Sequence, residues 1–395
     1  MKKSNILMVN LPFAGHTNPT LPLAKTLVRR GHHVTYVNAE SFRQPIEATG
    51  ARFVPYRDFP ANSSEEQKKR TCFRAAYDTA MSLDEPFDLL LYEMFFHPGF
   101  TLAQRMGIPC VRQFSQPAWS EATWKAAPSM FRFSAWLIDR QMLSKDDIAH
   151  MGLTDTTLHD GILHAKPALN IVYLSEAFQP CRESLDDSYC FTVPEPAPQN
   201  SGITIPFGEM KRPLVYISLG SIISNKGFCK ECVRAFGGRE YNVILSTGKV
   251  NPDALGKIPS NIHAYSYVPQ VEVLRHADVF LTHCGMNSVN EALRMGVPMV
   301  AMPFMNDQLT NAARLVELGL AERVRSFPSS GRELRRAVER VAGDTAIKAR
   351  CEAMRRQIET GSDWEEILRR IERIASREST LSSPQVGTVY PNSQK

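Results

Sequence analysis

Apolar positions along this chain fall in short runs that alternate with stretches of helical period. Asn5–Pro12, NILMVNLP, is almost unbroken apolar, the pattern of a strand covered on both faces. Thr17–Arg30 then sets Leu23, Ala24, Leu27 and Val28 on one stripe, with Pro19 in the first turn, which predicts a helix ended by Gly31. HHVTYVN predicts a second strand, FRQPIEAT a short helix and ARFVPY a third strand. FDLLLYEMFF, TLAQRMG and IPCVRQFS continue as strand, helix, strand. This alternation implies parallel pairing, with helices on both faces of the sheet.

Residues 118–165 are rich in aromatics and Met and read as irregular and helical. The proline-rich stretch 192–207, TVPEPAPQNSGITIPF, reads as an extended linker. After it the rhythm restarts through PLVYISLGS, YNVILSTG, IHAYSYVP, DVFLTHCG, VPMVAMP and GLAERV. Residues 332–375 read as two charged helices, and 376–395 as a disordered tail. The expected organisation is an α/β domain over 1–200, a second over 201–375 whose last helix can pack back on the first, and the tail. Two lobes leave a cleft suited to joining two substrates.

Composition narrows the class. Two domains fit 395 residues, and 43% hydrophobic with 22% charged residues is ordinary for a globular protein. The net charge of +5 is scattered, and LVRRG, KKR and GRELRR read as solvated helix faces, so no nucleic-acid partner is expected. No apolar run approaches the roughly 18 residues of a membrane helix, and MKKSNILMVNLP reads as a first strand, not a signal peptide. Eight scattered cysteines point to reduced thiols and a cytoplasmic location. Cys229 and Cys232 form a C-x-x-C without a second pair at zinc spacing. No G-x-G-x-x-G follows the first strand and no G-x-S-x-G occurs, which counts against a dinucleotide oxidoreductase and a serine hydrolase.

Candidate chemistry gathers at Thr282–Glu291, THCGMNSVNE, between the apolar DVFL and the helical EALRMG. Gly285 lets the chain turn close to a ligand. Met286 to Ser288 open the helix, so their N–H groups face the cleft with the positive dipole end. His283, Asn287 and Ser288 add donors, which makes a phosphate site without a Walker lysine. Glu291, four residues after Asn287 on the same face, could accept from a ribose diol. In the bland alternative, Asn287, Ser288 and Glu291 only cap the helix. In YSYVPQ, Tyr267 could stack on a base beside Val268, and Gln270 could pair with a ring edge or ribose. In MPFMNDQ, Asp307 and Gln308 suit sugar hydroxyls, and Gly220 and Ser221 form a further turn suited to phosphate.

In the first half, His16 follows Ala14-Gly15 at the end of the first strand and before a helix. A helix N-terminus is expected to lower its pKa and supply the neutral imidazole that a general base requires. Trp119, Trp124 and Phe131 lie in an aromatic-rich stretch. With Phe13 and Phe114 they are candidates for the wall of an apolar acceptor pocket, against the alternative of helix core.

The segments YVPQ, THCGMNSVNEAL and GVPMVAMPFMNDQ together resemble the nucleotide-sugar signature of glycosyltransferase family one, UDP-sugar enzymes of the two-lobed GT-B fold. NLPFAGHTNPTLPLAKTLVRRGHHVTY resembles the start of its bacterial macrolide branch. The likeness covers 1–56 and 212–325 and is thin over 118–200. It implies two Rossmann-like α/β domains facing across a cleft. It implies that Gln270 and Glu291 hold ribose, that His283, Asn287 and Ser288 hold phosphates, and that Asp307 and Gln308 hold the sugar. Family members carry Trp where this chain has Tyr267, which offers less stacking area. The family's base histidine is paired with an aspartate in a Tyr-Asp pattern, and Glu93 of Tyr92-Glu93 stands there in this chain. Asp88 lies at the strand start, too far away to substitute.

The implied activity is inverting, metal-independent transfer of a sugar, glucose first among them, from a UDP-sugar to a hydroxyl of a small apolar acceptor such as a macrolide, polyketide or phenolic. The absence of Asp-x-Asp fits metal independence. The UDP-sugar is a co-substrate, no cofactor or metal is expected, no stable membrane insertion is expected, and the chain is expected to be a monomer or weak dimer. Two rivals stand beside this reading. One is a non-catalytic nucleotide-sugar-binding protein, supported by the altered acid at Glu93. The other is a nucleotide-sugar epimerase of the same fold.

Overall fold

A computed structural model describes residues 3–59, 64–195, 202–220, 225–325, 330–361 and 364–376. Ser221, the middle of the proline-rich stretch and the tail 377–395 lie outside them. The first lobe carries β1 (Asn5–Val9), β2 (His33–Asn38), β3 (Arg52–Pro55), β4 (Leu89–Glu93), β5 (Cys110–Phe114), β6 (Leu169–Val172) and β7 (Tyr189–Phe191). They form one parallel sheet in the order β3-β2-β1-β4-β5-β6-β7. The second lobe carries β8 (Val215–Ser218), β9 (Val243–Ser246), β10 (Ile262–Tyr265), β11 (Val279–Thr282), β12 (Met299–Ala301) and β13 (Ala321–Arg323) in the order β10-β9-β8-β11-β12-β13.

The unbroken apolar runs are explained by cover on both faces. Ile6 and Met8 of β1 join one core cluster, with Leu89 and Leu91 of β4. Leu7 and Val9 join another, with Leu90 and Tyr92. In the second sheet Val279 and Leu281 of β11 face one cluster and Phe280 the other.

Helices α1 (Ala14–Thr17) and α2 (Leu21–Arg29) replace the single helix expected over 17–30, with a 3-10 turn at Asn18–Thr20 between them. Pro19 and Pro22 remove two N–H donors, which breaks the ladder there. The short α3 (Arg43–Glu47) precedes β3. No element is expected from the pattern between the third and fourth strands, yet α4 (Glu65–Met81) forms there. Its first turn is held by a reciprocal box in which Ser64 and Gln67 each accept from the other's N–H. Helix α5 (Gly99–Met106) ends at Gly107 in the left-handed region. The region 118–165 holds α6 (Glu121–Ala126), α7 (Ser129–Met142), α8 (Lys145–Met151) and α9 (Leu158–His164). In the second lobe α10 (Lys226–Phe236) carries Cys229 and Cys232, both buried and free. Helices α11 (Gln270–His276), α12 (Met286–Arg294) and α13 (Asp307–Glu317) follow.

Residues 331–376 make three helices where two are expected: α14 (Gly331–Gly343), α15 (Thr345–Gly361) and α16 (Trp364–Ser376). Asp344 makes the first break. It ends α14, and its carboxylate accepts from the N–H groups of Ala346 and Ile347 at the start of α15. Helix α16 packs Ile367, Leu368 and Ile371 into the cluster of Ile6, Leu23 and Leu27 in the first lobe.

The two lobes share a continuous apolar cluster that runs from Phe114 and Val172 to Tyr216 and Phe280. Polar ties cross the same junction. Asn290 of α12 donates to the Tyr173 carbonyl at 2.7 Å, and Arg314 of α13 donates to the carbonyls of Ala177, Phe178 and Gln179. Among the described residues no helix is long and apolar enough to cross a membrane.

Candidate active site

In each sheet the strand order reverses direction once, between β1 and β4 and between β8 and β11. Ligands of open α/β sheets bind at the carboxyl ends of such strands, and the candidate residues lie there. His16 sits in the short turn α1, closed by bonds from His16 N and Thr17 N to the Phe13 carbonyl. Glu93 is the last residue of β4. The His16 Nδ1 lies 3.0 Å from Glu93 Oε1, with the ring a quarter exposed and the carboxylate fully buried. The longer acid therefore reaches the ring, and Asp88 is spent at the far end of the sheet, accepting from Asn5 N at 2.7 Å.

The expected lowering of the His16 pKa is not what the structure gives. Burial pulls it down, but attraction and hydrogen bonding from Glu93, and attraction from Asp307 of the second lobe, outweigh that, and the pKa is raised. A neighbouring carboxylate is a stronger influence here than the end of a four-residue helix. Because Nδ1 faces Glu93, Nε2 is the nitrogen left for a substrate proton.

Across the cleft, His283 follows β11 with its ring wedged between two glycines. A Cβ at Gly220 would come 2.6 Å from His283 Cε1, and one at Gly285 would come 2.6 Å from Nε2. Gly220 also has φ +73, a backbone that favours glycine. Burial pushes His283 down to about 4, so it is a neutral ring near neutral pH, with Nδ1 unpartnered among the described residues. Gly285 caps α12 without a side-chain bond, so Asn287 and Ser288 do not act as its cap. The first-turn N–H groups of a helix have no partner within it. The Asp307 carboxylate accepts from Asn311 Nδ2 at 3.2 Å.

Gln270, Ser288 and Glu291 are already assembled. Gln270 Nε2 donates to Glu291 Oε2 at 2.7 Å and to Ser288 Oγ at 3.1 Å, and its Oε1 accepts from Tyr216 Oη. Burial raises the Glu291 pKa, partly offset by the Gln270 bond. Tyr267 is 53% exposed, with its ring available for stacking, whereas the Val268 side chain is buried in the core. Gln308 is buried as well, and its Oε1 accepts from the N–H groups of Phe304 and Met305. That carbonyl therefore shapes the loop presenting Asp307.

The aromatic candidates divide. Phe13 packs edge-on to His16 at 5.8 Å, and the chain of rings continues from His16 through Phe95, 5.1 Å away, to Trp119 at 5.8 Å from Phe95. Trp119 meets Trp124 at 5.2 Å, and Trp124 meets His159 at 4.3 Å. Phe131 is buried against both tryptophans. Phe114 is corrected: it is fully buried, packed on Tyr189 and the Arg112 guanidinium, and cannot line an open pocket. Its neighbour Ser115, the first residue past β5, faces the site instead and donates to Glu93. Phe95, Ser115 and His159 were not among the expected residues. Phe95 lies in the turn that follows β4, closed by a bond from Phe96 N–H to the Glu93 carbonyl, where strand periodicity gives no signal. Among the described residues no group of three or more His, Cys, Asp or Glu side chains is arranged to hold a metal ion.

Known proteins resemble this chain along nearly all of it. The family described as UDP-glucoronosyl and UDP-glucosyl transferase matches residues 198–356. NDP-glycosyltransferase YjiC of Bacillus subtilis is 30% identical over 94% of this chain and 97% of its own length. The oleandomycin glycosyltransferase of Streptomyces antibioticus is 30% identical over 88% of this chain and 85% of its own. The solved structure of the calicheamicin glycosyltransferase CalG4 is 28% identical and superposes with a TM-score of 0.77, covering 95% of this chain and 99% of that one. Similarity of this extent, on a GT-B architecture, places the chain in the family of UDP-glucoronosyl and UDP-glucosyl transferases, on the branch of the bacterial macrolide glycosyltransferases.

Proposed function

We propose that this glycosyltransferase moves a hexose, glucose first among the candidates, from a UDP-sugar to a hydroxyl of a small apolar acceptor, with inversion and without a metal. The observation that carries the reading is the His16–Glu93 pair, 3.0 Å apart at the switch point of the first sheet, with the ring of Phe95 5.1 Å from that of His16. His16 Nε2 takes the proton of the acceptor hydroxyl while Glu93 steadies the imidazolium that forms. The acceptor oxygen bonds to the sugar C1 from the face opposite the departing diphosphate. The C1–O bond to UDP breaks, and its electron pair leaves with UDP. Charge building on the diphosphate is met by the first turn of α12 and by neutral donors around His283.

Tyr267 stacks on the base, Gln270 and Glu291 take the ribose, and Asp307 meets the sugar. The lobe up to residue 200 holds the acceptor and residues 201–375 hold the donor. The named activities of the relatives, on oleandomycin and calicheamicin, favour a natural-product acceptor of the macrolide, polyketide or phenolic kind. Eight cysteines, none in a disulfide among the described residues, suit a reducing cytoplasm.

The test is mass spectrometry of reactions with UDP-glucose, without added metal, over a pool of macrolide and phenolic acceptors. One added hexose with the wild type, and at least about a hundredfold less with His16→Ala, is the expected result. Binding of UDP-glucose without any product across the pool would instead favour a nucleotide-sugar-binding protein.

A further inference from the structure

A glutamate has three side-chain torsions to fix before its carboxylate can serve as an orienting group, and fixing them costs entropy. The structure shows how that is done. Oε2 of Glu93 accepts from the Phe95 N–H at 2.9 Å, so one oxygen is tied to its own strand's continuation. Oε1 accepts from Ser115 Oγ at 2.8 Å, so the other is tied to the end of the neighbouring strand β5. That same Oε1 lies 3.0 Å from His16 Nδ1, and Ser115 Oγ lies 3.4 Å from it.

We infer that Ser115 is a positioning residue of the reaction: its hydroxyl clamps Glu93 to β5 and fixes His16 with the proton on Nδ1. The inference rests on the reading of His16 as the base. A hydroxyl has one proton, and here it goes to the carboxylate. Toward His16 the Ser115 oxygen can then offer only a lone pair. A ring nitrogen that faces a carboxylate oxygen and a hydroxyl lone pair must carry the hydrogen. Nε2 is thereby kept as the free base facing the acceptor. Ser115 is 6% exposed and Glu93 0%, so the clamp is shielded from bulk water. The plain alternative is a satisfied buried serine at a strand end, which would affect folding but not the protonation geometry.

A double-mutant cycle separates the two. Turnover of UDP-glucose with an acceptor is measured for wild type, Ser115→Ala, Glu93→Gln and the double variant, together with UDP affinity by calorimetry. Ser115→Ala is expected to lower kcat about tenfold with UDP affinity within about twofold. In the Glu93→Gln background the same change is expected to cost less than about twofold, because the carboxylate it clamps is gone. Ser115→Thr, which keeps the hydroxyl, is expected to retain most of the activity. Wild-type kcat in Ser115→Ala, or an equal loss in both backgrounds, overturns the clamp. Full activity in His16→Ala and Glu93→Gln would overturn the base assignment itself.

Discussion

Two histidines in one cleft are pushed in opposite directions, and each shift has a measurable consequence. His16 is raised by Glu93 and Asp307 against its burial. An imidazolium cannot accept a proton, so kcat/KM is expected to fall as the pH drops through a pKa above the ordinary value of about 6.5. Glu93→Gln removes the larger attraction. The acid limb should move to lower pH while the plateau drops about a hundredfold, and a limb that stays in place would assign it to another group. His283 is held at about 4 by burial alone. Between about 6.5 and 4 the unfolded chain binds a proton at this residue that the native state does not, so stability declines as pH falls through that window. Replacement by Asn should flatten the decline, measured as urea midpoints at pH 7 and pH 5. Equal slopes in variant and wild type would show that His283 is not the buried group responsible.

The strand-to-helix junctions are the elements that make the site, and they were the most legible part of the sequence. Strands β1, β4, β8 and β11 are apolar on both faces and announce themselves as runs, and the glycine turns after them point to ligands. What stayed hidden is which side chains face the cleft. Phe114 and Ser115 are adjacent where β5 ends, and only the three-dimensional fold decides that the serine turns to Glu93 while the ring goes inward. Strands β6 and β7 have four and three residues, too short to show a period. The raised pKa of His16 depends on a carboxylate 77 positions later in the chain and on Asp307 in the other lobe, neither of which local sequence can weigh. The junction before α12 offers a clean test. Gly285 has φ −61 and ψ 139, a backbone alanine adopts freely, yet its Cβ would press on the His283 ring. Gly285→Ala is therefore expected to lower UDP affinity about tenfold, roughly 1.4 kcal/mol, and to cost about 1–3 kcal/mol of stability, because Gly220 confines the ring on its other side. Unchanged affinity would remove His283 and this turn from the donor site.

At the scale of the molecule, the two lobes are not independent bodies on a tether. Helices α12 and α13, which carry the proposed donor residues, are tied along their length to first-lobe carbonyls, Asn290 to Tyr173 and Arg314 to the 177–179 turn. The chain then returns. Helix α16, last of the described elements, lays Ile367, Leu368 and Ile371 on the first sheet, and Arg30 of the first lobe bonds Glu365 and Glu372 beside them. The Arg30–Glu365 pair, whose glutamate is exposed, contributes little, about 0–1 kcal/mol. The burial does more, since Ile371 is fully buried among Ile6, Leu23 and Leu27. The first lobe thus completes its core only with residues that follow the second lobe in sequence. Ile371→Ala leaves a cavity in that core and is expected to cost about 2–5 kcal/mol. Because the cavity lies under β1, whose end leads to His16, the loss should appear as early melting of the first lobe. Calorimetry with and without UDP reads this directly. With the lobes joined by the shared core, UDP is expected to shift the wild-type transition as one unit. In Ile371→Ala a second, earlier transition that UDP fails to move would show that α16 is what joins them. A single UDP-shifted transition, lowered by less than about a degree, would show that the interlobe ties of Asn290 and Arg314 suffice without it.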